Sequence, residues 1–281
     1  MKNSILRDYK QSTEYYQINC FNFDDFILPD HKKEISHSFL EWFVGFVEVK
    51  FEFQTRGFEI LDNDIQLLHK IRTTLGFGKI TVYNQQCWKY SVRKQKWVDQ
   101  LIHLFNGNFV LKNTLNKFNR WVNKQKKTEK KKKQQCVKFS LKNAWFSGFI
   151  QAKAKFNASF SINSKNISSS VYFSISGNQT LCHEIEKLFM ITGIFYHYKK
   201  KPKQYKIIFI NLPAQKQLID YLFNFPVLGQ QYKTFYCWWR IYLYRQERAL
   251  AKECQRSYVS SLKQQKKLKR LCSQINYGNI G

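Results

Sequence analysis

The chain has 281 residues, with 47 Lys and Arg against 19 Asp and Glu, a formal net charge of +28. Aromatic residues make up 17% and the hydrophobic class 43%, which excludes a disordered basic tail, because such segments lack the apolar residues a core needs. The length admits one large domain or two smaller ones, and a surface this positive calls for phosphates, anionic lipid or an acidic protein.

The charge is uneven along the chain. Residues 1–64 hold 12 acids and 7 bases, whereas residues 65–281 hold 7 acids and 40 bases. The bases are mostly Lys, and the remainder leans on Asn, Ile, Phe, Tyr and Gln, a bias resembling the product of an AT-rich organellar gene. The opening segment contains Asp8 and Glu14 and no apolar centre, so neither a signal peptide nor an ordinary transit peptide is expected. No run approaches the roughly 18 apolar residues of a spanning helix. Seven widely spaced cysteines, without CxxC or zinc spacing, predict free thiols and no bound metal.

In chain order, a short apolar helix with Gly45 at its middle comes first, reading Glu41-Trp-Phe-Val-Gly-Phe-Val-Glu-Val-Lys50. A strand, GFEI, and a helix from Asp64 follow, then strands KITVYN and CWKYSVR and helices from about Lys94 to Gln125. After a lysine-rich stretch the order recurs. Ala144-Trp-Phe-Ser-Gly148-Phe-Ile-Gln-Ala-Lys153 matches the first helix at an offset of 103 residues. Alternating strands KFNASFSINS and VYFSISGN come next, then the helix QTLCHEIEKLFMIT, two more strands around Pro202, and a helical stretch from Ala214. Glycine inside a helix costs about 1 kcal/mol relative to Ala. Gly45 facing Gly148 across a close helix–helix seam accounts for both.

These residues carry a resemblance. WFVGFVEVKFEF and WFSGFIQAKAKF resemble the two signature helices of two-repeat LAGLIDADG homing endonucleases of the organellar intron type, over roughly residues 37–245. The resemblance implies an α+β fold: a pseudo-twofold tandem repeat of αββαββα units, with antiparallel saddle-shaped sheets and helices packed behind. It implies an N-terminal extension (1–36), a first repeat (37–125) and a basic linker (126–135). A second repeat (136–244) and a basic helical tail (245–281) complete the chain. It further implies that each signature helix ends in an acid that binds divalent metal at the scissile phosphate, and that the saddles lie in the DNA major groove.

At both acid positions this chain carries a cation, Lys50 and Lys153. A protonated ammonium has no lone pair and repels a divalent ion, which takes oxygen ligands. The expectation is therefore no catalytic residues, no metal, no cofactor and no enzymatic activity. Glu48 lies two residues before Lys50 and is expected on another helix face. Only 13 residues separate Lys50 from Asp64, against 26 between Lys153 and Thr180, so the first repeat is expected to have a shortened opening hairpin.

Expected nucleic-acid contacts are Lys50, Lys153, Lys79, Lys89 and Arg93, with Lys130, Lys131, Lys132 and Lys133 of the linker. Lys199, Lys200, Lys201 and Lys203 sit at a predicted hairpin tip. Arg245, Arg248, Arg256, Lys266, Lys267, Lys269 and Arg270 lie in the tail, read as an added RNA-binding arm. Strand aromatics such as Tyr83, Trp88, Tyr90 and Tyr172 are candidates for base stacking.

The reading these features lead to is an inactive homing-endonuclease-like protein serving as an RNA-binding component of a mitochondrial ribosome. Its expected partners are ribosomal RNA and neighbouring ribosomal proteins, and its expected location is the mitochondrion. Alternatives are a maturase assisting group I intron splicing, a DNA-cleaving homing endonuclease with displaced ligands, and a DNA-binding repressor.

Overall fold

The computed structural model describes residues 20–52, 57–124, 137–163, 166–189, 194–197, 205–254 and 262–278. The chain forms two compact units, Met1–Phe149 and Ile150–Gly281.

In the first unit, α1 (His37–Lys50) starts at Ser36, whose hydroxyl accepts from the Phe39 amide at 3.3 Å. It leads into β1 (Phe51–Glu52) and β2 (Phe58–Asp62). Helix α2 (Ile65–Leu75) is capped by Asp64 at its start and stopped by Gly76, whose φ of +82° is open to glycine at little cost. Strands β3 (Lys79–Asn84) and β4 (Cys87–Val92) precede α3 (Gln95–Phe105) and α4 (Lys112–Lys124). The antiparallel sheet has the order β1-β2-β4-β3, with Ile60 opposite Tyr90 and Glu59 opposite Ser91. Phe58, Ile60, Tyr90 and Val92 point to the buried face. There Phe58 stacks on Phe51 (4.4 Å between centroids) and Phe105 (5.7 Å), and the ring network continues through Phe109, Phe118 and Trp121. The segment before α1 belongs to this unit as well. Phe21, Phe23 and Phe26 are buried, and Asn22 exchanges backbone hydrogen bonds with the Asn108 side chain at 2.9 and 2.6 Å.

The second unit repeats the plan. Helix α5 (Trp145–Lys153) enters it and is followed by β5 (Ala154–Asn163), β6 (Asn166–Gly177) and α6 (Gln179–Phe189). Then come β7 (Ile194–His197), β8 (Tyr205–Phe209), α7 (Leu212–Asn224) and α8 (Gly229–Glu253). The sheet order, β5-β6-β8-β7, matches the first. Its buried face carries Phe156, Phe173 and Phe209, packed on Phe189, Phe235 and Trp238 with centroids 5.0–5.6 Å apart. Both units are thus antiparallel sheets with aromatic cores under helices, the α+β repeat the sequence predicts.

Three features add to this plan. The division into units falls inside α5, not at residues 126–135, because the first turns of α5 pack on α1 through backbone-close contacts. Among the described residues the opening hairpins are unequal, in the sense the sequence spacing predicts: β1 and β2 have 2 and 5 residues, β5 and β6 have 10 and 12. Finally, the basic tail is docked. Helix α9 (Leu262–Gly278) packs against α8 and β5 through Leu268, Cys272 and Ile275, spaced four and three residues apart and all buried.

Candidate nucleic-acid interface

The signature helices meet through their glycines. A Cβ on Gly45 would run into the carbonyl oxygen of Trp145, and one on Gly148 into that of Trp42. Only hydrogen at both positions lets the two backbones approach this closely. The seam predicted from the repeat is therefore present.

Two acids of α1 lock this arrangement, and neither was singled out for that role by the sequence. Glu41 accepts from the Ala144 amide at 3.0 Å, just before α5 starts. Glu48 is buried and accepts from the amides of Val110 (2.6 Å) and Leu111 (2.7 Å), just ahead of α4, and from the Trp145 indole (2.9 Å). A carboxylate at a helix N-terminus satisfies orphan amides and meets the positive end of the dipole. Burial pushes the Glu48 carboxyl up to about 7, against the opposing pull of these three donors. Burial likewise raises Glu41. Glu48 does face away from the position of Lys50, as the helical spacing predicts, and its acceptor atoms are engaged inside the unit.

Lys50, at the end of α1, has its ammonium 2.9 Å from the Asp62 carboxylate on β2. The other Asp62 oxygen accepts from the Asp64 amide at 2.9 Å. Lys153 is exposed at the end of α5. Desolvation by its surroundings lowers its pKa, and the neighbouring Cys182 thiol offsets this in part. A divalent ion of the kind the resemblance implies does not fit these residues. The lysines are cations, and Asp62 is engaged by Lys50.

The sheet faces opposite the cores are open, and they differ. On the first, Glu59 sits between Lys89 (3.6 Å) and Arg93 (2.7 Å) and neutralises part of their charge. Lys79 is exposed on β3 opposite Ser91. On the second, strict alternation buries Ala154, Phe156 and Ala158 and turns Lys155, Asn157, Ser159 and Ser161 outward. Ser170, Tyr172 and Ser176 alternate with buried Val171, Phe173 and Ile175 on β6, Ser174 among them is itself buried, and Lys206 lies over the Tyr172 ring at 5.8 Å. No acid occurs in any strand of this sheet.

The remaining expected residues separate into groups. Lys266, Lys267, Lys269 and Arg270 are exposed on α9. Arg248 is half-buried on α8. Arg245 is placed differently from the outward contact expected of it. Its guanidinium donates to the Val171 carbonyl (3.3 Å) and the Gln215 side chain (3.5 Å), beside the backbone carbonyls that Gln215 itself caps. Tyr90 is likewise internal: it is buried, and its hydroxyl donates to the Phe77 carbonyl at 3.0 Å. Lys130, Lys131, Lys132, Lys133, Lys199, Lys200, Lys201, Lys203 and Arg256 lie outside the described residues. No described helix is long and apolar enough to cross a membrane.

Known proteins share this architecture. A family model described as LAGLIDADG endonuclease matches residues 30–125. "Probable intron-encoded endonuclease 4" of Neurospora crassa is 30% identical over 219 residues, covering 72% of this chain. The chain spans 39% of that relative's length. "Uncharacterized cox1 intron-2 37.2 kDa protein" of Schizosaccharomyces pombe is 23% identical, covering 78% of this chain and 70% of the relative. The solved LAGLIDADG homing endonuclease I-SmaMI bound to cleaved DNA superposes with a TM-score of 0.66. It is 13% identical, with 85% of this chain and 97% of that one covered.

These relatives correct one expectation. Two lysines at the signature ends led to the inference that the chain is not an enzyme, yet the 30% identical relative is named an endonuclease. Substitution at one position per repeat does not remove a chain from a family of endonucleases. With the tandem signature helices, the Gly45–Gly148 seam, the matching sheet orders and these relatives in agreement, the chain belongs to the LAGLIDADG homing-endonuclease family.

Proposed function

We propose that this protein binds the nucleic acid of an intron locus through the open faces of its sheets, with duplex DNA as the principal partner. Each repeat, 37–125 and 136–244, supplies one face. The observation that carries this reading is the second sheet, a 10- and 12-residue hairpin whose outward positions are Lys, Ser, Asn and Tyr without any acid. Hydroxyls and amides on such strands donate to phosphates and base edges, and lysines release counterions from the backbone. The intron-linked names of both curated relatives and the DNA in the I-SmaMI structure support the choice of partner. An organellar location, the mitochondrion, accords with the cox1 intron relative. The ribosomal role expected from charge yields to the intron-linked one, because these relatives are named for introns and for nuclease activity.

A maturase acting on intron RNA is the second reading. It is favoured by Lys50, whose ammonium is the group present where the family's fold places a metal-binding acid. The test is a mobility shift with DNA spanning the intron insertion site against folded intron RNA, followed by incubation of the bound DNA with Mg²⁺ or Mn²⁺. Tighter binding to the DNA at matched salt supports the reading, and preference for the RNA replaces it with the maturase.

A further inference from the structure

One concavity of the first unit adjoins the open face of its sheet. A groove of about 560 Å³ opens where the α2–β3 turn meets the β4–α3 junction. Its rim carries four cations, Lys79, Lys89, Arg93 and Lys94, and its wall is the indole of Trp97. The volume falls in the range of small-molecule sites.

The wall is held rigidly. Trp97 stacks on Phe77 with centroids 4.9 Å apart and planes within 3°. The Phe77 carbonyl is fixed by the buried Tyr90 hydroxyl at 3.0 Å. Gly78, at φ +94°, lies so close to the Tyr90 ring that any Cβ there would collide with it. The Lys96 ammonium rests over the Trp97 ring, 4.9 Å from its centroid. Such a flexible cation marks a π surface that a flat ring can occupy in its place. The anion-facing side is also prepared. Helix α3 (Gln95–Phe105) follows Lys94, whose carbonyl takes the Trp97 amide at 2.9 Å but whose side chain makes no cap, so the positive end of the helix faces outward there. Thr81 and Ser91 add hydroxyls to the lining.

We propose that this groove binds a single nucleotide, its base against Trp97 and its phosphate among Lys79, Lys94 and the start of α3. The shared chemistry is a phosphorylated nucleoside, either a free mononucleotide or one unpaired at the end of a strand. The groove shares Lys79, Lys89 and Arg93 with the sheet face proposed above and deepens that reading, and the experiment below separates the two. Lys89 and Arg93 are already paired with Glu59, so they set the field, whereas Lys79 and Lys94 make the contact.

The test titrates the full chain with adenosine monophosphate, inorganic phosphate, blunt duplex DNA and duplex DNA carrying a one-nucleotide overhang, reading tryptophan fluorescence and calorimetry. Adenosine monophosphate is expected to bind at least tenfold more tightly than inorganic phosphate, and the overhang to improve duplex binding several-fold. Lys94→Glu, at an exposed position that leaves the core intact, is expected to weaken nucleotide binding at least tenfold. Trp97→Leu is expected to remove the preference for nucleotide over phosphate. If Trp97→Leu does not fold, Lys96→Ala serves, and unchanged or tighter nucleotide binding is expected. Equal affinity for phosphate and nucleotide, or no nucleotide binding at all, overturns the proposal. With the free nucleotide bound, a gain from the overhang extends the site to strand ends, and the absence of that gain confines it to mononucleotides. Intact duplex binding with no nucleotide binding sinks this inference and leaves the duplex reading standing; the reverse result does the opposite.

Discussion

The two sheets share one strand order and one aromatic core pattern, yet their open faces are chemically unlike. The first is short, and its acids cancel its bases: Glu59 holds Lys89 and Arg93, and Asp62 holds Lys50. The second is long and acid-free, with Lys155 and Lys206 among serines, an asparagine and a tyrosine. The difference teaches that fold and function are under separate constraint in this chain. The buried positions of both sheets keep large rings, because core packing tolerates little change of volume. The outward positions answer only to solvent and ligand, and there the two repeats have diverged.

The comparison breaks most severely at the shared support. Gly45→Ala or Gly148→Ala drives a methyl into a backbone carbonyl, which cannot move aside as a side chain can. Each is expected to cost about 3 kcal/mol, at the upper end for overpacking, read by urea unfolding. The support is also pH-sensitive. The folded-state pKa of Glu48 lies near 7, above its ordinary carboxylate value. For an acid raised on folding, the stabilising contribution is complete below the unfolded pKa and fades as pH climbs through the folded one. The urea midpoint is therefore expected to fall between about pH 5 and pH 8. In Glu48→Gln, whose amide does not titrate, that decline should flatten; a parallel decline in both proteins would exclude Glu48 as its source.

Smaller effects sharpen the contrast between the faces. Removing Glu59 by substitution to Gln frees Lys89 and Arg93, so nucleic-acid affinity should rise a few-fold, with a steeper salt dependence. A decrease would mean that the pairs orient those cations for contact. Lys50→Ala leaves the Asp62 carboxylate, mostly buried, without its partner. The expected loss is about 1 kcal/mol by thermal unfolding, in the range of partly exposed ion pairs.

Much of the fold was legible. The 103-residue repeat, the alternation in KFNASFSINS and the helix start at Asp64 correspond to real elements because each rests on local backbone geometry. Gly45 and Gly148 were readable because a mid-helix glycine has few other uses. What was hidden depends on distant partners. Nothing local to Glu48 says that the amides of Val110 and Leu111 lie 62 and 63 residues away in sequence and touching in space. Arg245 reads as one more tail cation until Val171 and Gln215 are seen beside it. The docking of α9 was hidden because its buried face, Leu268, Cys272 and Ile275, is narrow among many lysines and meets partners on α8 and β5 that are distant in sequence. Nor does a lysine at a signature position decide activity, since family membership rests on the whole repeat.

The most direct test of the account compares two double variants for binding to DNA spanning the intron insertion site at a fixed, moderate salt concentration. Lys155→Ala with Lys206→Ala strips the acid-free sheet, and Lys89→Ala with Arg93→Ala strips the neutralised one. The first pair is expected to lose at least tenfold in affinity, with a salt slope lower by about two, and the second pair no more than about threefold. Equal losses, or a larger loss from the first sheet, would contradict the assignment of the principal contact to the second.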